Sequence, residues 1–68
     1  MDIRLTINGA ERRIAPPATV SALLGEMGMA GKRIAIERNG EIVPRSRYAE
    51  TTLADGDRLE IVVAVGGG

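Results

Sequence analysis

Two Asn-Gly dipeptides, Asn8-Gly9 and Asn39-Gly40, each follow a short segment in which apolar and polar residues alternate and precede a second short segment. Asparagine and glycine both accept positive φ, the backbone state that a two-residue turn between antiparallel strands requires. Before the first turn, Ile3, Leu5 and Ile7 alternate with Arg4, Thr6 and Asn8, the period of a strand with one buried face. Glu11 to Ala15 reads as the return strand. Pro16-Pro17 stops it, because proline cannot donate to a ladder. Before the second turn, Ile34 and Ile36 alternate with Arg33, Ala35 and Glu37, so a third strand begins near Arg33. Glu41-Ile42-Val43 is a short fourth strand ended by Pro44.

One helix is predicted between the hairpins. Thr19 is placed as its N-cap, and Val20, Leu23, Leu24 and Met27 follow at i, i+3, i+4 and i+7, a single helical face. Gly25 within that pattern costs about 1 kcal/mol relative to alanine. Gly28 supplies the left-handed residue that ends the helix. The segment from Arg45 to Ala54 has no clean period; it is expected to hold one helical turn, pinned to the core by Tyr48 and Leu53. Asp55-Gly56-Asp57 is turn chemistry. Arg58 to Val65 is the last strand, with Leu59, Ile61 and Val63 on the core face.

The order is hairpin, helix, hairpin, irregular segment, strand. A single helix must cover the apolar face of the whole sheet, because nothing else is available to do so. The expected class is α+β, a mixed sheet of about five strands packed on one helix, as in the β-grasp or ubiquitin-like fold. In that fold the first and last strands pair in parallel at the sheet centre, and the middle of the chain supplies the long crossover. Residues 1–65 are assigned to this domain and residues 66–68 to a flexible glycine tail.

Composition narrows the function classes. With 68 residues there is room for one domain, which buries about 60% of the surface its unfolded chain exposes. Stability is expected to be modest, roughly 3–5 kcal/mol. There is no Cys or His, hence no disulfide and no zinc staple, and Tyr48 is the one aromatic residue. Nine basic residues balance nine acidic ones. That balance, with no aromatic stacking platform, argues against nucleic-acid binding. No apolar run approaches the roughly 20 residues of a membrane span. Met1-Asp2-Ile3-Arg4 does not open a secretory signal, so the chain is expected to be soluble and cytoplasmic.

No internal constellation looks catalytic. Ser46 has no His or Cys to activate it, and Gly25, Gly28 and Gly31 fit no phosphate loop. The informative feature is Gly66-Gly67-Gly68 after the last strand. Residues without Cβ are thin and pliable enough to thread a narrow enzyme tunnel and deliver one group, the terminal carboxylate. A carboxylate is a poor electrophile until a partner converts it to an acyl-adenylate with ATP; a sulfur nucleophile can then displace AMP and leave a thiocarboxylate. Against this stands the plain alternative of a frayed end. A second feature is the outer face of the last strand, where Val62 and Ala64 lie opposite the core residues, with Ala35 on the same face of the third strand. Together they form a small apolar patch leading into Val65 and the glycines, expected to contact a partner. The arginines of Arg12-Arg13 and Arg45-Ser46-Arg47 could meet acidic surfaces or simply be solvated.

The segments Arg38-Asn39-Gly40-Glu41-Ile42-Val43-Pro44-Arg45, Ala54-Asp55-Gly56-Asp57-Arg58-Leu59-Glu60-Ile61-Val62 and Val65-Gly66-Gly67-Gly68, with Thr19-Val20 and Leu23-Leu24, resemble ThiS sulfur-carrier proteins over nearly the whole chain. The resemblance implies a carrier of sulfur for the thiazole ring of thiamine, a co-substrate rather than an enzyme, with no bound cofactor. It implies a ThiF-type adenylyltransferase that consumes ATP, a sulfur donor system and a ThiG-type thiazole synthase as partners. Gly68 would be the modified residue and Gly67 its necessary neighbour, with Gly66, Val65, Ala64, Val62 and Ala35 as partner contacts. The Pro16-Pro17 pair departs from the family pattern. A MoaD-like carrier of another pathway, a protein modifier joined through Gly68, and a plain binding module remain alternatives.

Overall fold

The computed structural model describes residues 1–63. The expectations for Ala64, Val65, Gly66, Gly67 and Gly68, including the continuation of the last strand to Val65, lie outside the described residues. Within them, five strands and one helix form in the predicted order: β1 (Ile3–Ile7), β2 (Ala10–Ile14), α1 (Val20–Glu26), β3 (Ile34–Arg38), β4 (Glu41–Ile42) and β5 (Arg58–Val63), with a 3₁₀ turn at Arg45–Arg47. The sheet order is β2-β1-β5-β3-β4. β5 lies at its centre, parallel to β1 and antiparallel to β3.

Both Asn-Gly dipeptides make the turns their chemistry demands. φ is 51° and 84° at Asn8 and Gly9, and 52° and 88° at Asn39 and Gly40. These turns set the registers Ile7 opposite Ala10 and Arg38 opposite Glu41. Register then decides burial, because a one-residue slip would exchange the two faces. Leu5, Ile7, Ile14, Ile36, Leu59 and Ile61 all point inward and are buried.

The helix is short, and its ends are fully provided for. The Thr19 hydroxyl accepts the Ala22 N–H at 3.1 Å. The Val20 and Ser21 N–H groups donate to the carbonyls of Thr51 and Tyr48, each at 3.0 Å. The irregular segment therefore satisfies donors that a helix leaves open at its start. At the other end, Gly28 (φ 71°) donates to Gly25 and Met29 donates to Leu24 at 2.8 Å, the paired bonds of a Schellman cap. Val20, Leu23 and Leu24 face the sheet, and Leu53 and Val43 close the core from below.

Val63 departs from expectation. It continues the inward alternation of Leu59 and Ile61 but is 46% exposed, because at its position, opposite Ile34, the sheet runs beyond the cover of the seven-residue helix.

β1 and β5 are joined by more than their ladder. The Asn8 amide donates from Nδ2 to the Ile61 carbonyl at 3.0 Å and accepts the Ile61 N–H on Oδ1 at 2.8 Å. The side chain thus prolongs the parallel ladder past the end of β1. Replacing Asn8 with glycine keeps the positive φ and removes both bonds. Asn8→Gly is expected to lower unfolding stability by about 1–2 kcal/mol, measured by urea titration.

Candidate functional site

The outer face of the sheet, away from α1, is where the sequence placed its partner contacts. Ala35 and Val62 are direct cross-strand partners on that face, both exposed, Val62 at 63%. Two expected contacts are thereby brought together. Ile42 joins them: it stands opposite Glu37, one step along the same face, and is 64% exposed. Ile42 was missed in the sequence, although the two-residue Asn39-Gly40 turn fixes it opposite Glu37 and so on the Ala35 face.

Charge is arranged around these apolar side chains. A shallow groove of about 320 Å³ has Ala35 and Val62 in its wall, with Arg33 and Arg45 at its rim. Arg45 is held there by its Nη2, which donates to the Lys32 carbonyl at 3.3 Å. On the other side of the apolar pair, Glu37 and Glu60 stand directly opposite each other across β3 and β5. A further hollow of about 530 Å³ opens beside them, with Thr6 and Arg58 across from it. Among the described residues the ion pairs are Arg13–Glu11, Arg38–Asp57 and Arg47–Glu50. Neither rim arginine and neither glutamate takes part in one.

β5, which leads toward Gly68, is fixed at its start by a buried polar cluster. Asp57 is 7% exposed. Its carboxylate accepts Arg38 Nε at 2.8 Å, Asn39 Nδ2 at 3.0 Å and the Ala54 N–H at 2.8 Å. Asn39 completes the clasp by accepting the Arg58 N–H at 2.9 Å. Burial pushes the Asp57 carboxyl up; the hydrogen bonds from Ala54, Asn39 and Arg38, with the Arg38 charge, together outweigh it and hold the carboxyl below its ordinary value. Asp55 does separate work, accepting the Arg4 N–H at 2.7 Å and strapping the turn to β1. Both aspartates are therefore structural. Among the described residues no cluster of three or more metal-ligating side chains occurs, and no helix is long and apolar enough to cross a membrane.

This geometry, a helix-backed mixed sheet with β5 at its centre, is matched by known proteins. A model of the ThiS family matches residues 5–68. The chain belongs to the ThiS family. The sulfur carrier protein ThiS of Bacillus subtilis (strain 168) is 44% identical over 50 residues, which cover 74% of this chain and 76% of that protein. The crystal structure of the thiamine biosynthesis protein ThiS from Geobacter metallireducens superposes with a TM-score of 0.80 at 32% identity, covering 97% of this chain and 100% of that one. The fold is thus the ubiquitin-like β-grasp. A thiazole synthase of Paramagnetospirillum magneticum is 53% identical over 66 residues. The chain spans 20% of the length of that protein, and the same share of a second thiazole synthase, from Magnetococcus marinus.

Proposed function

We propose that this chain is a sulfur carrier in thiamine biosynthesis and that its working group is the carboxylate of Gly68. The observation that carries the reading is the family match, which runs through to Gly68 and includes a relative named as a sulfur carrier. A ThiF-type adenylyltransferase joins the carboxylate to AMP from ATP, releasing pyrophosphate. A sulfur donor system supplies a nucleophile that displaces AMP, so one carboxylate oxygen leaves with AMP and sulfur takes its place. The resulting thiocarboxylate gives up its sulfur to a ThiG-type thiazole synthase. The two thiazole synthases that contain a segment like this chain support that partner.

The described fold supports such a role through placement. β5 is central, bonded to a neighbour on each side, and tied down by Asn8 and Asp57. The five residues after Val63 reach at most about 17 Å when fully extended. A docked sheet therefore has to lie close to the reacting atoms, and Val62 and Ala35 beside the end of β5 are the contacts we assign to it. The carrier contributes reach and an end group; adenylation and sulfur transfer belong to its partners, and ATP is consumed by the activating one. The reading places this work in the cytoplasm, in keeping with a chain that needs no disulfide.

The test is the intact mass after incubation with a ThiF-type enzyme, ATP and a sulfur source. A gain equal to one oxygen-for-sulfur exchange, on the peptide containing Gly68 and absent without ATP, is expected. No gain with an enzyme that modifies its own carrier under the same conditions would overturn the reading.

A further inference from the structure

The basic residues of this chain are unevenly chosen: of nine, eight are arginine, and Lys32 is the sole lysine. The distinction is chemical. A guanidinium stays protonated and has no lone pair to offer, whereas a lysine amine is a nucleophile. An acyl-adenylate at Gly68 therefore has two amines in its own molecule to react with, the ε-amine of Lys32 and the α-amine of Met1. Topology places them at opposite ends of the sheet. Ile34 stands directly opposite Val63 across the antiparallel β3–β5 ladder, about 5 Å away between Cα atoms. Lys32 precedes Ile34 by two residues, which puts its Cα within about 12 Å of Val63. β5 is parallel to β1, with Leu59 opposite Ile7. Ile3, four residues before Ile7, is therefore about 26 Å from Val63, four residues after Leu59, at the rise of a strand. The five residues from 64 to 68 span at most about 17 Å, enough for Lys32 and too little for Met1.

Lys32 is fixed in that place by its backbone. Its N–H donates to the Met29 carbonyl at 3.1 Å, and its carbonyl accepts Arg45 Nη2 at 3.3 Å. The residue is exposed, and its amine forms no ion pair among the described residues. We propose that Lys32 is a self-acylation site: when no sulfur nucleophile intercepts the adenylated carrier, the Lys32 amine attacks the acyl carbon of Gly68 and closes the chain on itself. The proposal rests on the carrier reading, which supplies the adenylate. The bond from Nζ to the acyl carbon forms as the bond from that carbon to the AMP oxygen breaks. AMP leaves with that oxygen, and the surplus proton of the amine passes to solvent. The product is an internal isopeptide, lighter than the starting chain by one water. Linkage within one chain presents the amine at an effective concentration on the order of millimolar, ahead of amines on other molecules. Sulfur and Lys32 thus compete for one carbon. Carrier activated without sulfur loses its end group and is withdrawn from use.

The experiment is intact mass and peptide mapping after incubation with a ThiF-type enzyme and ATP, with and without a sulfur source, pyrophosphate release being followed in parallel. Without sulfur, the wild type is expected to lose the mass of one water, with the Lys32 and Gly68 peptides joined and a yield independent of carrier concentration. With sulfur, the thiocarboxylate is expected to replace that product. Lys32→Arg keeps the backbone contacts and is expected to gain the thiocarboxylate as the wild type does, yet to give none of the dehydrated form. If the wild type gains its thiocarboxylate with sulfur but shows no dehydrated form without it, the Lys32 proposal fails and the carrier reading stands. A ring closed on Met1, or a linkage to a second chain or to the enzyme in place of Lys32, would also overturn the proposal. If a competent enzyme releases no pyrophosphate with the wild type, both fail.

Discussion

A chain ending at Gly66 is expected to show no ATP-dependent activation at all, while its urea unfolding midpoint stays that of the full-length protein. The separation is clean because the two properties sit on different residues. Among the described residues every buried apolar side chain of the core lies between Leu5 and Ile61, and Gly67 and Gly68 have no side chain to lose, so removing them is expected to leave the core packing intact. Chemistry, in contrast, requires the carboxylate at a fixed distance from the docked sheet. Removing two residues withdraws it by about 7 Å, and misplacement by even 1 Å can cost a hundredfold in rate. Adding one alanine after Gly68 tests the same point from the other side, since the carboxylate is displaced and now stands on a carbon that bears a methyl group. Mass spectrometry after incubation with enzyme, ATP and sulfur source reads both variants. Full modification of either would rule out Gly68 as the working residue.

Asp57→Ala should produce the largest loss of stability of any surface-distant polar change, about 2–3 kcal/mol by urea titration. Against a total of roughly 3–5 kcal/mol for a domain of this size, that leaves only about 0–3 kcal/mol, a margin at which up to about half of the population is unfolded. Three donors lose their acceptor at once: Arg38 Nε, Asn39 Nδ2 and the Ala54 N–H. Asp57→Asn keeps the shape and an acceptor oxygen but loses the charge, and a smaller loss is expected. The same group sets an acid limb. Because its folded-state value lies below the ordinary 3.8, Asp57 contributes stability that is fully present at neutral pH. That contribution drains away as pH falls from about 3.8 through the lower folded value. In Asp57→Asn this limb should flatten, which pH-dependent urea midpoints of the two proteins would reveal. An unchanged limb would mean that other carboxylates govern acid unfolding.

The parts of the fold that were legible in the sequence rest on local rules. Asn-Gly demanded a turn, Thr19 and Gly28 bounded a helix, and alternation in β1, β3 and β5 identified the core residues. Even the Ala35–Val62 contact followed, because alternation gave the face and the fold gave the neighbour. Ile42 was equally determined by the turn beside it, but a two-residue strand offers no period of its own to read. The polar clasps were not legible. Asp57 looks like any turn aspartate until the fold brings Arg38 and Asn39 to it from 19 and 18 residues away. Asn8 serves its turn through its backbone, and nothing local says that its amide will also bond Ile61 across 53 residues. Val63 was placed inward by its period, yet how much of a sheet a seven-residue helix can roof is a question of three-dimensional extent.

The central position of β5 has a bearing on biosynthesis. A nascent chain halted before Arg58 carries the residues of both hairpins and the helix, but the strand that joins β1 to β3 does not yet exist. Neither half-sheet can close on the other, and the shared core has no floor. Such fragments are expected to stay open, with exposed apolar surface and unpaired strand edges, instead of settling into a folded competitor. Completion of the fold thus waits on translation of the very segment that leads to Gly68. Partners that recognise the assembled sheet face will therefore meet only chains that include β5, so molecules cut short before it are screened out before they can occupy an enzyme.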